Sequence, residues 1–446
     1  MNFFENTPYK DAKKIHFVGI GGSGMFPLAQ ILAAHGYRLT GSDNNLTDTL
    51  RLAETVAETV YLGHSADHLG DTDLVVHTAA VHHENPELAA AVEQGIPVID
   101  RALLLGLISQ RFPQCLCIAG THGKTTTTAM LTKILLDAGR DPTAVIGGKL
   151  KDIGGNGRAG HSGIMVAEAC EYVNTYHQLH PSIAVILNID ADHLEFFKTL
   201  ENIQASFRTF AQLATDAIIH NGDDANTRQA LAGISNRIIT FGREKCNNFF
   251  AKNVKFYGNS PHHSQITYDV VANGVELGPL SLDQAGEHNV LNSLAAAATA
   301  IEIGVSFEQV QAGLAAFSGA GRRFEILGKV GGATIVDDYA HHPAELTVTL
   351  STAKTLGYRK VWAVFQPFTF SRTKLLLDVL TPIMGGREEN LYGIDSEDLQ
   401  AKLPGSVLLP TFQAVADHIK THAGQDDLVI TLGCGDIYKA AKLMLQ

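Results

Sequence analysis

Long apolar runs are missing from this chain. No stretch reaches the roughly 20 apolar residues that a helix needs to cross a bilayer, so no membrane span is expected. The opening Met1-Asn2-Phe3-Phe4-Glu5-Asn6 has no basic start followed by an apolar core, and secretion is not expected either. Basic clusters are missing too. With 46 acids against 34 lysines and arginines the net charge is -12, which argues against a nucleic-acid surface and leaves anionic small molecules to be held by local loops. Cysteine is scarce: Cys115, Cys117, Cys170, Cys246 and Cys434 are odd in number and scattered, which excludes a disulfide framework and fits a reducing, cytoplasmic location. Cys115 and Cys117 alternate on one face of a strand and read as small core residues, since no second pair completes a zinc site. What is present is an ordinary globular composition, 45% hydrophobic and 18% charged over 446 residues, enough for two to four domains with full cores.

The stretch that organises the rest is Gly120-Thr121-His122-Gly123-Lys124-Thr125-Thr126, fed by the apolar run Gln114 to Ala119 and followed by the helical pattern Thr127 to Leu136. Strand, glycine turn and helix in that order hold phosphate. Backbone N–H groups turn inward on an anion at a helix N-terminus, the lysine adds a point charge for the outer phosphates, and the hydroxyl after it can ligate Mg2+. The loop is shorter than the common G-x-x-x-x-G-K-[ST], because Ile118 stands where the first glycine would fall.

A second glycine turn lies near the N-terminus. The strand Ile15 to Val18 runs into Gly19-Ile20-Gly21-Gly22-Ser23-Gly24-Met25, then a helix from Leu28 to His35 closed by Gly36, then a strand delivering Asp43. This meets the dinucleotide fingerprint and on its face suggests NAD, although glycines license the close approach of a pyrophosphate without choosing the nucleotide. Further α/β units follow, and the segment Thr78 to Glu87, with Asn85 in it, sits at a strand's C-terminal end, where open parallel sheets bind ligands. His82 and His83 read as solvated loop residues.

In the middle of the chain, Gly163 to Ala167 is an apolar strand ending in Glu168, and Ile183 to Leu187 another ending in Asn188-Ile189-Asp190-Ala191-Asp192-His193. Acids at strand ends beside a phosphate loop suit Mg2+, which prefers hard oxygen donors; Thr125, Glu168 and, at a second ion, His193 are the candidate ligands. Residues 247–285 read as a small antiparallel ribbon turning at Asn273-Gly274. A helix then begins with His288, Asn289 and Asn292 in its first turns, and amides suit the edge of adenine. Gly321-Arg322-Arg323-Phe324-Glu325 reads as a hinge into a last lobe whose strand ends carry Asp337-Asp338-Tyr339-Ala340-His341-His342, Gln366 to Lys374, and Gly433 to Asp436. Between helices near 373–380 and 395–403, Thr381 to Gly386 supplies no strand where a parallel sheet calls for one.

Taken together these motifs resemble the Mur ligase family over nearly the whole chain: Gly19 to Met25 with Gly41-Ser42-Asp43, Gly120 to Thr126, Glu168-Ala169-Cys170-Glu171-Tyr172, Asn188 to His193, Gly286 to Asn292, Gly321 to Glu325, Asp337 to Pro343 and Ser371-Arg372-Thr373. The resemblance implies an α/β protein of three domains: a Rossmann-like sugar-nucleotide domain (1–105), a central ATP-binding parallel sheet with a small ribbon (106–320), and a Rossmann-like amino-acid domain (321–446). It implies ATP-driven amide formation through an acyl phosphate, with UDP-N-acetylmuramate, L-alanine and ATP as partners, about two Mg2+ ions, and a monomer or weak homodimer. Its site residues, carried onto this chain, are Gly120, Thr121, His122, Gly123, Lys124, Thr125 and Thr126 around the phosphates. Arg323 joins them there, with His288, Asn289, Asn292 and Asp338 on the nucleotide. Thr125, Glu168 and His193 fall on metal. Gly19, Gly21, Gly22, Gly24, Asp43, Thr78 and Asn85 fall on the sugar nucleotide, and Tyr339, His341 and Arg372 on substrate, with Arg372 on the alanine carboxylate. The chain departs from the family at Phe368, where many relatives have histidine after Gln-Pro, at Phe370, and in the shortened 381–386 segment. A nicotinamide-dependent oxidoreductase and a non-catalytic nucleotide-binding protein are the alternatives from other classes.

Overall fold

The computed structural model describes residues 1–82, 84–257, 265–367 and 405–446. His83, Phe368, Phe370, Arg372 and the Thr381 to Gly386 segment lie outside the described residues. The chain forms two compact units, the first Met1–Phe250 with Val271–Leu277 and Leu291–Leu314, the second Ala251–Val270 with Gly278–Val290 and Ala315–Gln446.

In the first unit, β1 (Lys14–Val18), β2 (Arg38–Asp43), β3 (Thr59–Leu62), β4 (Leu74–His77) and β5 (Val98–Asp100) make a parallel sheet in the order β3-β2-β1-β4-β5. The strand order reverses between β1 and β4, which opens a crevice at their C-terminal ends, and the glycine turn that follows β1 lies there. Next come β6 (Gln114–Ala119), β7 (Thr143–Leu150), β8 (Gly155–Arg158), β9 (Ile164–Glu168), β10 (Ile183–Ile186), β11 (Ala217–Asn221) and β12 (Ile238–Gly242), ordered β12-β11-β10-β6-β9-β7-β8. β6 is central and buried, flanked in parallel by β10 and β9, with Ile118 opposite both Val185 and Glu168. Its register therefore sets the ends of three strands level with the phosphate loop.

The antiparallel β7/β8 pair was not expected from the sequence. β8 reads Gly-Asn-Gly-Arg, without one β-branched residue, and pairs because Gly157 lies against the backbone of Pro27, where an added Cβ would come within 2.6 Å of Pro27 Cα. One apolar cluster joins the two sheets of this unit, with Ile15, Phe17 and Leu32 in the same core as Cys115, Cys117, Phe207 and Phe210. The expected cysteine packing holds: both thiols are fully buried, 3.6 Å apart.

The ribbon is also as expected. β13 (Phe249–Tyr257) is followed by β14 (Gln265–Ala272) and β15 (Val275–Leu282), and the last two are joined by the two-residue turn Asn273-Gly274 with positive φ at both positions. In the second unit β16 (Glu325–Val330), β17 (Ala333–Asp338), β18 (Lys360–Phe365) and β19 (Asp427–Leu432) are ordered β16-β17-β19-β18. β17, β19 and β18 are parallel, so their ends share one rim as the sequence indicated. β16 corrects it. The residues after the arginine pair, read as a hinge, form an edge strand antiparallel to β17. Among the described residues, no helix is long and apolar enough to cross a membrane.

Candidate active site

The phosphate loop is held from below by the end of β10. Asn188 grips His122 on both sides, accepting its N–H at 2.8 Å and donating to its carbonyl at 3.0 Å. Thr121 donates its N–H to the Asn188 carbonyl and accepts the Asp190 N–H at 2.9 Å. Gly123 then takes φ 87° to start the helix Lys124–Asp137, and a Cβ there would sit 2.4 Å from Asn292 Oδ1. Glycine is thus required for backbone conformation and for space together. Behind the loop the helix packs a threonine run inward, and Thr128 and Thr132 return their hydroxyls to carbonyls one turn back at 2.7 Å, which satisfies them without water.

Lys124 is enclosed. Its ammonium donates to the Gly120 carbonyl at 2.5 Å, the Thr121 carbonyl at 3.1 Å and Glu171 Oε1 at 3.0 Å, and it forms an ion pair with Glu171 Oε2 at 2.8 Å. Burial alone would pull the lysine's pKa down, but the Glu171 charge outweighs it and holds the ammonium above its ordinary value. Glu168, across from Ile118, accepts the Gly147 N–H at 2.7 Å. His193 sits at a left-handed backbone position, with its ring 4.7 Å from that of Tyr172 and Nδ1 3.3 Å from Glu195. Among the described residues no cluster of three His, Cys, Asp or Glu side chains is arranged to hold a metal. The nearby Thr125 hydroxyl, 4% exposed, and the Glu168 carboxylate are hard oxygen donors of the kind Mg2+ takes while keeping several waters.

The N-terminal glycine turn is cinched onto β2. Gly19 and Ile20 donate to the Ser42 carbonyl at 2.8 and 3.0 Å, and Gly21 donates to Asp43 Oδ2 at 3.1 Å. Gly19, at φ 88°, lies against the Thr78 methyl, and Gly22 closes the turn through the Met25 and Phe26 N–H groups. In a nicotinamide-binding fold the acid after β2 takes the ribose hydroxyls. Here Asp43 is engaged by Gly21 and by the Asn45 N–H at 2.9 Å. The Asn85 oxygen caps the helix Pro86–Glu93, accepting from Glu87 and Leu88. Arg101 lies beside Gly24, where an added Cβ would be 3.0 Å from its Cδ; it carries no motif and sequence reading passed over it.

Also missed was Glu87. It is fully buried and takes hydrogen bonds from Ser42 at 2.6 Å, His64 at 2.9 Å and His68 at 2.7 Å, with His16 3.5 Å away. Burial would raise its carboxyl, but the bonds from His16, Ser42 and His68 prevail and bring it down to about 2. The cluster ties β1, β2 and the Pro86–Glu93 helix together directly behind Asp43. Only its tertiary setting reveals it, because the five residues are spread over more than seventy positions.

In the second unit the arginine pair divides its work. Arg322 donates to Asp337 at 2.8 Å and to the Gly433 carbonyl at 2.7 Å, between the rings of Tyr339 and Tyr438. Arg323 also lies over the Tyr339 ring, 5.1 Å from its centroid. Asp338 accepts the Phe324 and Ala340 N–H groups at 2.7 Å each, and burial lifts it to about 6 against the pull of Arg323 and those amides. His288, exposed at the start of the helix His288–Glu302, is lowered from its ordinary value by desolvation from the groups around it and by the charge of Arg323. His341 places Nδ1 3.0 Å from the Tyr339 carbonyl and 3.3 Å from Glu345.

Three family profiles match along the chain: "Mur ligase family, catalytic domain" over residues 14–113, "Mur ligase middle domain" over 118–300, and "Mur ligase, glutamate ligase domain" over 322–435. The chain belongs to the Mur ligase family. As a Mur ligase it is 40% identical to the UDP-N-acetylmuramate--L-alanine ligase of Acetivibrio thermocellus, over 97% of this chain and 96% of that one. It is also 40% identical to the same-named protein of Clostridium novyi, over 97% of each. Among solved structures it resembles the UDP-N-acetylmuramate-alanine ligase of Thermotoga maritima, with TM-score 0.81 at 26% identity over 97% of this chain and 98% of that one. A murein peptide ligase from Psychrobacter arcticus gives TM-score 0.77 at 26% identity, with the same coverage. Membership in this family leaves no place for the oxidoreductase reading of the N-terminal glycines.

Proposed function

We propose that this Mur ligase joins L-alanine to the lactyl carboxylate of UDP-N-acetylmuramate, consuming ATP and releasing ADP and phosphate, in the cytoplasmic synthesis of peptidoglycan precursor. The observation that carries the reading is the enclosed lysine on the loop Gly120 to Thr126, within a chain 40% identical end to end to ligases of that name. A carboxylate is a poor acyl donor. Phosphorylating it requires two anions to approach, and fixed cations and N–H groups lower that cost. We assign Lys124 and the loop amides to the triphosphate, Asn292 beside Gly123 to the nucleotide, and Arg101, the Gly19 to Gly24 turn, Asp43, Thr78 and Asn85 to the sugar nucleotide. From the second unit, His288, Asn289, Arg323 and Asp338 are assigned to nucleotide, and Tyr339 and His341 to substrate. Mg2+ held by Thr125 and Glu168, with His193 at a second ion, would neutralise phosphate charge. We place the domain divisions near 105 and 320.

The experiment is phosphate release with ATP, Mg2+ and UDP-N-acetylmuramate, comparing L-alanine, L-serine, glycine and the tripeptide L-alanyl-γ-D-glutamyl-meso-diaminopimelate. L-alanine is expected to be preferred. Preference for the tripeptide would move the chain to the murein peptide ligases, and no release with any acceptor would leave a nucleotide-binding protein without this activity. Gly123→Ala tests the loop more finely. A left-handed alanine costs about 1–2 kcal/mol before the contact with Asn292, so ATP affinity is expected to fall at least about tenfold, measured by calorimetric titration.

A further inference from the structure

Glu171 has no part in the roles assigned above, yet it is the most intimate partner of the lysine they depend on. Glu171 is 3% exposed, accepts a hydrogen bond from the Lys124 ammonium at Oε1 and holds Oε2 2.8 Å from the same nitrogen as an ion pair. Its placement is specified. The next two residues after Tyr172, Val173 and Asn174, both adopt left-handed backbone angles, with φ 52° and 58°, a conformation that a β-branched residue rarely takes without surrounding constraint. Asn174 donates its N–H to the Glu171 carbonyl at 2.9 Å, the Thr175 hydroxyl and Tyr176 N–H bind the Cys170 carbonyl at 2.9 and 3.2 Å, and the Tyr176 hydroxyl meets Ser206 at 2.8 Å. The strained turn is thus pinned at both ends, and it presents the carboxylate to the lysine.

A carboxylate ion-paired at an ammonium occupies the place a phosphate oxygen would take, and repels any second anion that approaches. We propose that Glu171 is an internal counter-anion of the phosphate loop: it holds the enclosed Lys124 ammonium in place, and an incoming triphosphate must displace it from Lys124. This rests on the assignment of Lys124 to the triphosphate. Its consequence runs opposite to that of a purely structural glutamate. Removing the negative charge removes the competitor, so a non-hydrolysable ATP analogue should bind more tightly.

Titration calorimetry with that analogue and Mg2+ on the full chain supplies the test. Glu171→Gln is expected to tighten binding at least about threefold, and Glu171→Asp, which keeps the charge, to bind more weakly than Glu171→Gln. Glu171→Ser, small and uncharged, serves as the readout if the glutamine variant does not fold, with the same expected direction. Unchanged or weaker binding in a folded uncharged variant overturns the proposal. If the wild-type chain binds no analogue, or Lys124→Ala binds it as well as wild type does, the phosphate-loop assignment itself is at fault.

Discussion

Lys124→Ala is expected to cut ATP-dependent phosphate release by about 10³-fold or more while UDP-N-acetylmuramate binding stays within a few-fold. The separation follows from geometry within the first unit. Lys124 bonds the loop carbonyls of Gly120 and Thr121 and the carboxylate of Glu171, whereas the turn assigned to the sugar nucleotide is built on Ser42 and Asp43. Truncating the lysine alone strands Glu171 as a buried, uncompensated anion, which destabilises a fold by more than the pair contributes. The double variant Lys124→Ala with Glu171→Gln removes that complication. It should recover thermal stability relative to the single variant and remain inactive. Near-normal turnover in either variant would refute the loop's role.

The second large effect concerns stability. Glu87→Ala removes the carboxylate on which His16, His64, His68 and Ser42 converge, and loss of one member of such a buried cluster costs about 3 kcal/mol or more. Differential scanning fluorimetry should show the melting midpoint several degrees lower, with Glu87→Gln in between because an amide still fills the space and accepts one bond. The same group sets an acid limit. Its folded pKa, about 2, lies below the unfolded carboxylate value of 4.5, so its stabilisation is fully present above the unfolded value and is lost as pH falls from there toward 2. The wild-type midpoint should therefore fall through that window more steeply than that of Glu87→Gln. Parallel curves would mean that the histidines do not hold the charge.

Both glycine turns were legible in the sequence because their chemistry is local. Gly19 to Asp43 and Gly120 to Thr126 each need a strand, a turn and a helix in immediate succession, and spacing alone reports that. The position of Glu168 at the end of β9 was legible for the same reason, as a polar residue ending an apolar run. Glu87 and Glu171 were not. One looks like the second residue of an ordinary helix and the other like a loop acid, and each acquires its meaning from partners that only folding brings near: Ser42 and three histidines for Glu87, Lys124 for Glu171. β8 and β16 escaped for a related reason. A Gly-Asn-Gly-Arg strand and one spanning Gly328 have little strand propensity, and they form because β7 and β17 offer them an edge. Of the arginine pair, Arg322 is bonded into the rim of its own lobe through Asp337 and Gly433, which leaves Arg323 as the member assigned to phosphate.

The most direct test follows the oxygen atoms. If ATP phosphorylates the lactyl carboxylate and the alanine amine then displaces phosphate at the acyl carbon, one carboxylate oxygen must leave with the phosphorus. UDP-N-acetylmuramate carrying ¹⁸O in both carboxylate positions should therefore yield inorganic phosphate with one ¹⁸O atom, seen as an isotope-shifted ³¹P resonance, and an amide that keeps the other. Phosphate released without label would contradict transfer to the sugar acid and break the link between the lysine loop and the ligation.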